Sequence, residues 1–85
     1  MPHRFTYIDH AREQMVRRDI DSTWVERTVL APETTELDPK HPDRVRAFRS
    51  IPERDGRVLR VVYVPEGEHY RVLTAFLDRT RSRKR

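Results

Sequence analysis

The sequence predicts an α+β domain: two N-terminal helices packed on a four-stranded antiparallel sheet. Three observations carry that expectation. Apolar residues recur at helical spacing up to Pro32, and beyond it the period switches from 3.6 to 2. The apolar runs after Pro32 are separated by short segments rich in Pro, Gly and Asp. Connections that short favour antiparallel neighbours over crossovers. A chain of 85 residues holds one domain. It is assigned here to residues 1–78, with a basic, flexible tail at 79–85.

The elements follow in order. Thr6 is expected to cap the first helix, with Asp9 answering three positions on as in a capping box. From Tyr7 to about Arg18, Ile8, Ala11 and Met15 form a stripe that can face a core, while His10, Gln14 and Arg17 form a polar one. Asp21 restarts the chain as the cap of a second helix, Ser22 to about Ala31, which must stop before Pro32. Ile20 and Val25 have the spacing of a hydrophobic staple, and Trp24, Val25, Thr28 and Val29 are the expected buried side. Four strands are then read at Thr34–Asp38, Arg44–Ile51, Arg57–Val64 and Tyr70–Leu77. The turns between them are Pro39–Pro42, Pro52–Gly56 and Pro65–Glu68, and the Asp55-Gly56 pair is a strong hairpin signal.

Composition sets limits on function. Leu, Ile, Val and Phe supply 20 of 85 residues, enough for a thin core and little more. Cysteine is absent, which excludes disulfides, thiolate catalysis and cysteine-ligated zinc. No apolar run reaches the roughly 18 residues of a membrane span, and Met1 to His10 lacks the apolar core of a signal peptide. A cytoplasmic location is expected. The net charge of +4 is unevenly spread: Arg79, Arg81, Arg83, Lys84 and Arg85 are five basic groups in the tail, and the remaining thirteen face fourteen acids. The body is thus nearly neutral, and any basic surface on it must be local.

Strand alternation gives such a local surface. If Leu73 and Ala75, Leu59 and Val61, and Val45 and Ala47 lie against the helices, the opposite face carries Arg46, Phe48, Arg60, Thr74 and Phe76. Guanidinium groups interleaved with aromatic rings suit phosphate contact and base stacking. A register slip of one residue would exchange the faces. The plainer reading of each arginine is a solvated or ion-paired side chain, and of Thr74 an ordinary β-former. Trp24 and Tyr63 read as core aromatics. His3, His41 and His69 have no zinc-ligand spacing, so no metal or other cofactor is expected. His10, in the first turn of a helix, is where a neutral imidazole is favoured and could accept a proton. It could equally be a packing residue.

A resemblance rests on these same residues. Thr6, His10-Ala11-Arg12-Glu13-Gln14-Met15, Arg18-Asp19-Ile20, Val25 and Val29-Leu30-Ala31-Pro32 form its first half. Gly56-Arg57, Leu59-Arg60-Val61-Val62-Tyr63 and Val72-Leu73-Thr74-Ala75-Phe76 form its second. Together they resemble the bacterial family catalogued as domain of unknown function 4258, over nearly all of the chain to about Arg79. That family is similar to the barnase-like, RelE/ParE-like fold group, in which helices precede an antiparallel sheet. The group includes small toxins, several of which cut RNA without metal. The resemblance places its polar positions at His10, Arg60 and Thr74; a family-typical tyrosine is Phe76 here.

The expectation is therefore a toxin-like protein acting on RNA, with metal-independent cleavage as its sharpest form. His10 would act as base or acid, Arg60 and Arg46 would clamp the phosphate, and Thr74 would donate a hydrogen bond. Arg17, Phe48 and Phe76 would contact substrate, and the tail from Arg79 to Arg85 would add salt-sensitive attraction. His10→Ala should then abolish cleavage. RNA or the ribosome, and a neutralising antitoxin protein, would be the partners. The alternative is a non-catalytic module that binds protein or nucleic acid, or pairs with a second copy through the edge strand Thr34–Asp38.

Overall fold

The structure, a computed structural model, describes residues 4–81. Seven elements follow one another: β1 (Arg4–Tyr7), α1 (Asp9–Arg18), α2 (Ser22–Leu30), β2 (Thr34–Leu37), β3 (Val45–Ile51), β4 (Arg57–Glu66) and β5 (His69–Leu77). Single 3₁₀ turns occupy Pro52–Arg54 and Arg79–Arg81. The strands form one mixed sheet in the order β1-β5-β4-β3-β2, with β1 parallel to β5 and every other pair antiparallel. Among the described residues no helix is long and apolar enough to cross a membrane.

The expected four-stranded antiparallel sheet behind two leading helices is thus corrected to five strands, with both helices between β1 and β2. Thr6 does not cap a helix. It lies in β1, where its hydroxyl meets His69 Nε2 at 3.0 Å, and α1 begins only at Asp9, behind Ile8. The reason is tertiary. Phe5 and Tyr7 alternate with Arg4 and Thr6 and turn into the core, but four residues of alternation are too few to compete with the helical stripe that follows. What fixes β1 as a strand is its ladder with β5, at the far end of the chain.

The remaining elements form for local reasons. Asp21 caps α2 by accepting the Thr23 N–H at 2.8 Å, and Ile20 and Val25 close the staple as buried residues. Thr28, fully buried, donates its hydroxyl to the Trp24 carbonyl at 2.8 Å and leaves no polar atom unpaired there. The β3–β4 hairpin turns on Asp55 and Gly56, both with positive φ. The β4–β5 hairpin is tighter than expected, since Pro65 and Glu66 belong to β4 and pair with Tyr70 and His69. Pro65 is tolerated because β3 begins only at Val45, opposite Tyr63, so only one ladder passes Pro65.

The core lies between the helices and one sheet face. Ala11, Val25 and Val29 from the helices meet Ala47, Ile51, Leu59, Val61, Tyr63, Val72 and Ala75 from the sheet. Val72 is on the opposite face in a regular reading of the last strand. A bulge between Val62 and Tyr63, which pair with Thr74 and Val72, leaves Leu73 as the extra residue and turns Val72 inward.

α1 completes the sheet where β1 stops. β1 reaches only Val72 of β5. Beyond it, Gln14 Oε1 accepts the Ala75 N–H at 3.3 Å and the Thr74 hydroxyl, standing where a neighbouring strand's carbonyl would be. Gln14→Ala should therefore cost about 1–3 kcal/mol, the usual penalty for stranding part-buried donors. Urea denaturation checks this, with Gln14→Glu, which keeps an acceptor, expected to lose less.

Candidate functional site

The sheet face away from the helices carries the row anticipated from alternation. β3–β4 and β4–β5 registers place Phe48 opposite Arg60 and Arg60 opposite Phe76. The Arg60 guanidinium carbon is 5.2 Å from the Phe76 ring centre and 6.0 Å from that of Phe48. Arg81, from the turn after β5, lies over the other side of the row, 3.8 Å from the Phe48 ring centre. These are cation–π distances. They leave Phe48 only 3% exposed although no helix covers it.

Carboxylates neutralise this row. Arg46 reaches Glu36 at 3.6 Å and Asp38 at 3.4 Å, Arg60 reaches Asp78 at 3.8 Å, and Arg81 binds Glu36. Three guanidinium groups thus face three carboxylates. The Nε atoms of Arg46 and Arg60 are buried and unpartnered, as expected of stems laid on the sheet with their heads turned to the acids. A hydrogen bond from Arg81 holds the Glu36 carboxyl below its ordinary range. For Asp78, burial alone would raise the pKa, but the Thr80 hydroxyl and N–H and the nearby Arg60 and Arg81 outweigh it, and the net direction is down. Both carboxyls are accordingly charged at neutral pH.

The other anticipated residues are dispersed. Thr74 is tied to Gln14 on α1. His10 is exposed, one helical turn before Gln14. Arg17 lies with Arg12, Glu13 and Val16 around a shallow hollow on α1. Neither His10 nor Arg60 lines that hollow, nor the two described next. Arg79 and Arg81 fall in the final turn, while Arg83, Lys84 and Arg85 lie outside the described residues. Among the described residues no group of three or more His, Asp or Glu side chains could hold a metal ion.

A hollow of about 970 Å³ runs between α1 and the start of α2 past Tyr7, Met15, Ile20 and Trp24. Its one phenol is a poor proton donor. Burial first, then the charge and hydrogen bond of Glu26, push the Tyr7 pKa up to about 12.

A smaller hollow of about 240 Å³ has a different character. Among the described residues Arg18, Arg54, Arg57 and Arg79 line it with Leu77, and no carboxylate does. Each arginine arrives at the same end of the sheet by a different route: the last turn of α1, the β3–β4 hairpin, the first residue of β4, and the turn after β5. Arg54 is fixed by donating to the Asp19 carbonyl at 3.1 Å, with its guanidinium 5.9 Å from the centre of the Trp24 ring. Glu53, beside it in sequence, is committed to Arg27 through two hydrogen bonds of 3.0 and 2.9 Å. Sequence reading singled out only Arg79, as part of the tail. The signal available was topological: in an antiparallel hairpin, basic residues at 54 and 57 and just after the following strand end at one place.

The Glu53 pair makes a pH-dependent contribution. Its hydrogen bonds from Arg27, and then from its own N–H, lower the carboxyl from the ordinary 4.5 to about 2. A depressed native pKa means the stabilisation is present above 4.5 and is lost as pH falls toward 2. Acid denaturation between those values should be less steep in Glu53→Gln. Added salt should shrink the difference, because the pair is solvent-screened.

No curated protein and no solved structure matches the chain. The family model of the domain of unknown function DUF4258 matches residues 7–77. That span runs from the end of β1 to the last residue of β5 and takes in both helices, the whole antiparallel part of the sheet and three of the four clustered arginines. The chain belongs to the DUF4258 family.

Proposed function

We propose that this protein binds RNA through the hollow of Arg18, Arg54, Arg57 and Arg79, and does so without cleaving it. The observation that carries the reading is the contrast between two arginine clusters. In the row on the sheet face the guanidinium groups of Arg46, Arg60 and Arg81 are each matched by a carboxylate. At the sheet end four converge on one hollow with no acid in its lining among the described residues. Like charges held together raise the local potential and attract a polyanion, and arginine's planar fork suits phosphate oxygens. The basic tail follows directly from Arg79 and would extend the same field. RNA is chosen over DNA on the strength of the resemblance to the RelE/ParE-like group.

Binding alone asks nothing of the side chains that cleavage would require. A cleaving site built on Arg60, Thr74 and His10 would need Arg60 to leave Asp78, Thr74 to leave Gln14, and a helix-borne imidazole to reach both. The test is one incubation read twice. Labelled single-stranded RNA should bind the full chain with an affinity that falls as salt rises, more tightly than duplex DNA, and should run at full length on a denaturing gel. His10→Ala should bind equally well. Shortened RNA with wild type and intact RNA with His10→Ala would replace this reading with the nuclease; no salt-sensitive binding at all would remove it.

A further inference from the structure

Resting on that reading, we infer that the four-arginine hollow takes a terminal triphosphate, such as the unprocessed 5′ end of an RNA, in preference to phosphates within the backbone. Size and charge together point there. About 240 Å³ is smaller than the roughly 300–1,000 Å³ of typical small-molecule clefts, too little for a whole nucleotide. Four guanidinium groups nonetheless surround it. A backbone passing through so small a volume brings one phosphodiester, with a single negative charge. A triphosphate fits three contiguous phosphoryl groups into the same space. Its terminal phosphate carries about −1.5 to −2 at neutral pH, and each inner one adds a further charge. Only such a group approaches neutrality with four cations.

The lining agrees in kind. Among the described residues all four basic side chains of the lining are arginine, which offers paired donors to two phosphoryl oxygens at once. The remaining lining residue is Leu77. Among the described residues no aromatic ring lines it to stack a base, so the hollow is built for the phosphates and leaves the nucleoside outside. Arg54 is held from behind by the Asp19 carbonyl, which pre-orients one side of the site. Arg18 and Arg79 are exposed at its mouth.

The experiment compares one short single-stranded RNA carrying a 5′-triphosphate with the same RNA carrying a 5′-hydroxyl, by fluorescence anisotropy on the full chain at fixed salt. The triphosphate form should bind about tenfold more tightly. In Arg18→Gln/Arg79→Gln, and independently in Arg57→Gln, the two RNAs should bind alike, with circular dichroism confirming the fold. Inorganic tripolyphosphate serves as competitor. Competition that erases the preference supports the hollow as a triphosphate site; an undiminished preference at saturating tripolyphosphate would overturn the inference, because this lining contacts phosphates alone. Equal affinity of wild type for both RNAs would overturn the inference and leave RNA binding standing. A preference that survives in folded Arg18→Gln/Arg79→Gln and Arg57→Gln would place the site elsewhere and overturn it as well. If neither RNA binds, the underlying reading fails with it.

Discussion

Leu59→Ala is expected to lower stability by about 2–5 kcal/mol, the range for removing a leucine from a packed core. Leu59 is fully buried on β4, paired with Arg49 on one side and Leu77 on the other. Its side chain belongs to the single cluster that joins Val25 and Val29 of α2 to the sheet. At this position four carbon side-chain atoms become one, and neither neighbouring strand can move inward without breaking its ladder. A domain of this length has a total stability on the order of 5–10 kcal/mol, so the variant should be close to half lost. Urea denaturation should show a large fall in midpoint with an unchanged m-value. A loss under about 1 kcal/mol would mean that the cluster does not hold the helices to the sheet.

Reversing two charges at the hollow should have the largest effect on binding. Arg57→Glu/Arg79→Glu replaces two of the four cations with anions. It should weaken binding of single-stranded RNA about 100-fold at low salt. Each lost phosphate contact should flatten the plot of log affinity against log salt by about 0.7, so the two together should remove about 1.4. Arg60→Gln is the informative comparison. Arg60 already faces Asp78, so its loss should change affinity less than twofold. If Arg60→Gln proves the more damaging, the interface lies on the sheet face and the hollow is incidental.

Much of the fold was legible because the deciding interactions are short in sequence. Asp21, Ile20, Val25 and Pro32 fix both ends of α2 within a dozen residues. Asp55 and Gly56 supply the positive φ that the β3–β4 hairpin requires. The row of Arg46, Phe48, Arg60 and Phe76 followed from simple alternation, because the β3–β4 ladder and the last part of β5 run without irregularity. What alternation could not show was the company those arginines keep. Glu36, Asp38 and Asp78 come from β2, the loop after it and the residue just past β5, and only the assembled sheet sets them beside the cations.

The failures share one cause. β1 is too short to declare itself, and its partner is the last strand of the chain. The bulge that turns Val72 inward leaves no mark in the pattern of β5, since both registers offer apolar residues to the core. Gln14 was read as part of a polar stripe, and its place at the end of a β ladder depends on where α1 lies.

The amino-acid sequence by itself determined the helix and strand inventory after residue 8, the β3–β4 turn, the absence of thiol chemistry and the concentration of basic charge at the chain's end. Those follow from periodicity, backbone preference and composition, which act between near neighbours. The tertiary structure alone decided that the first strand closes the sheet, that the sheet-face arginines are neutralised, and that four others meet at one hollow. Each of these is a juxtaposition of residues far apart along the chain, set by packing two helices against one twisted sheet, and no local preference encodes it.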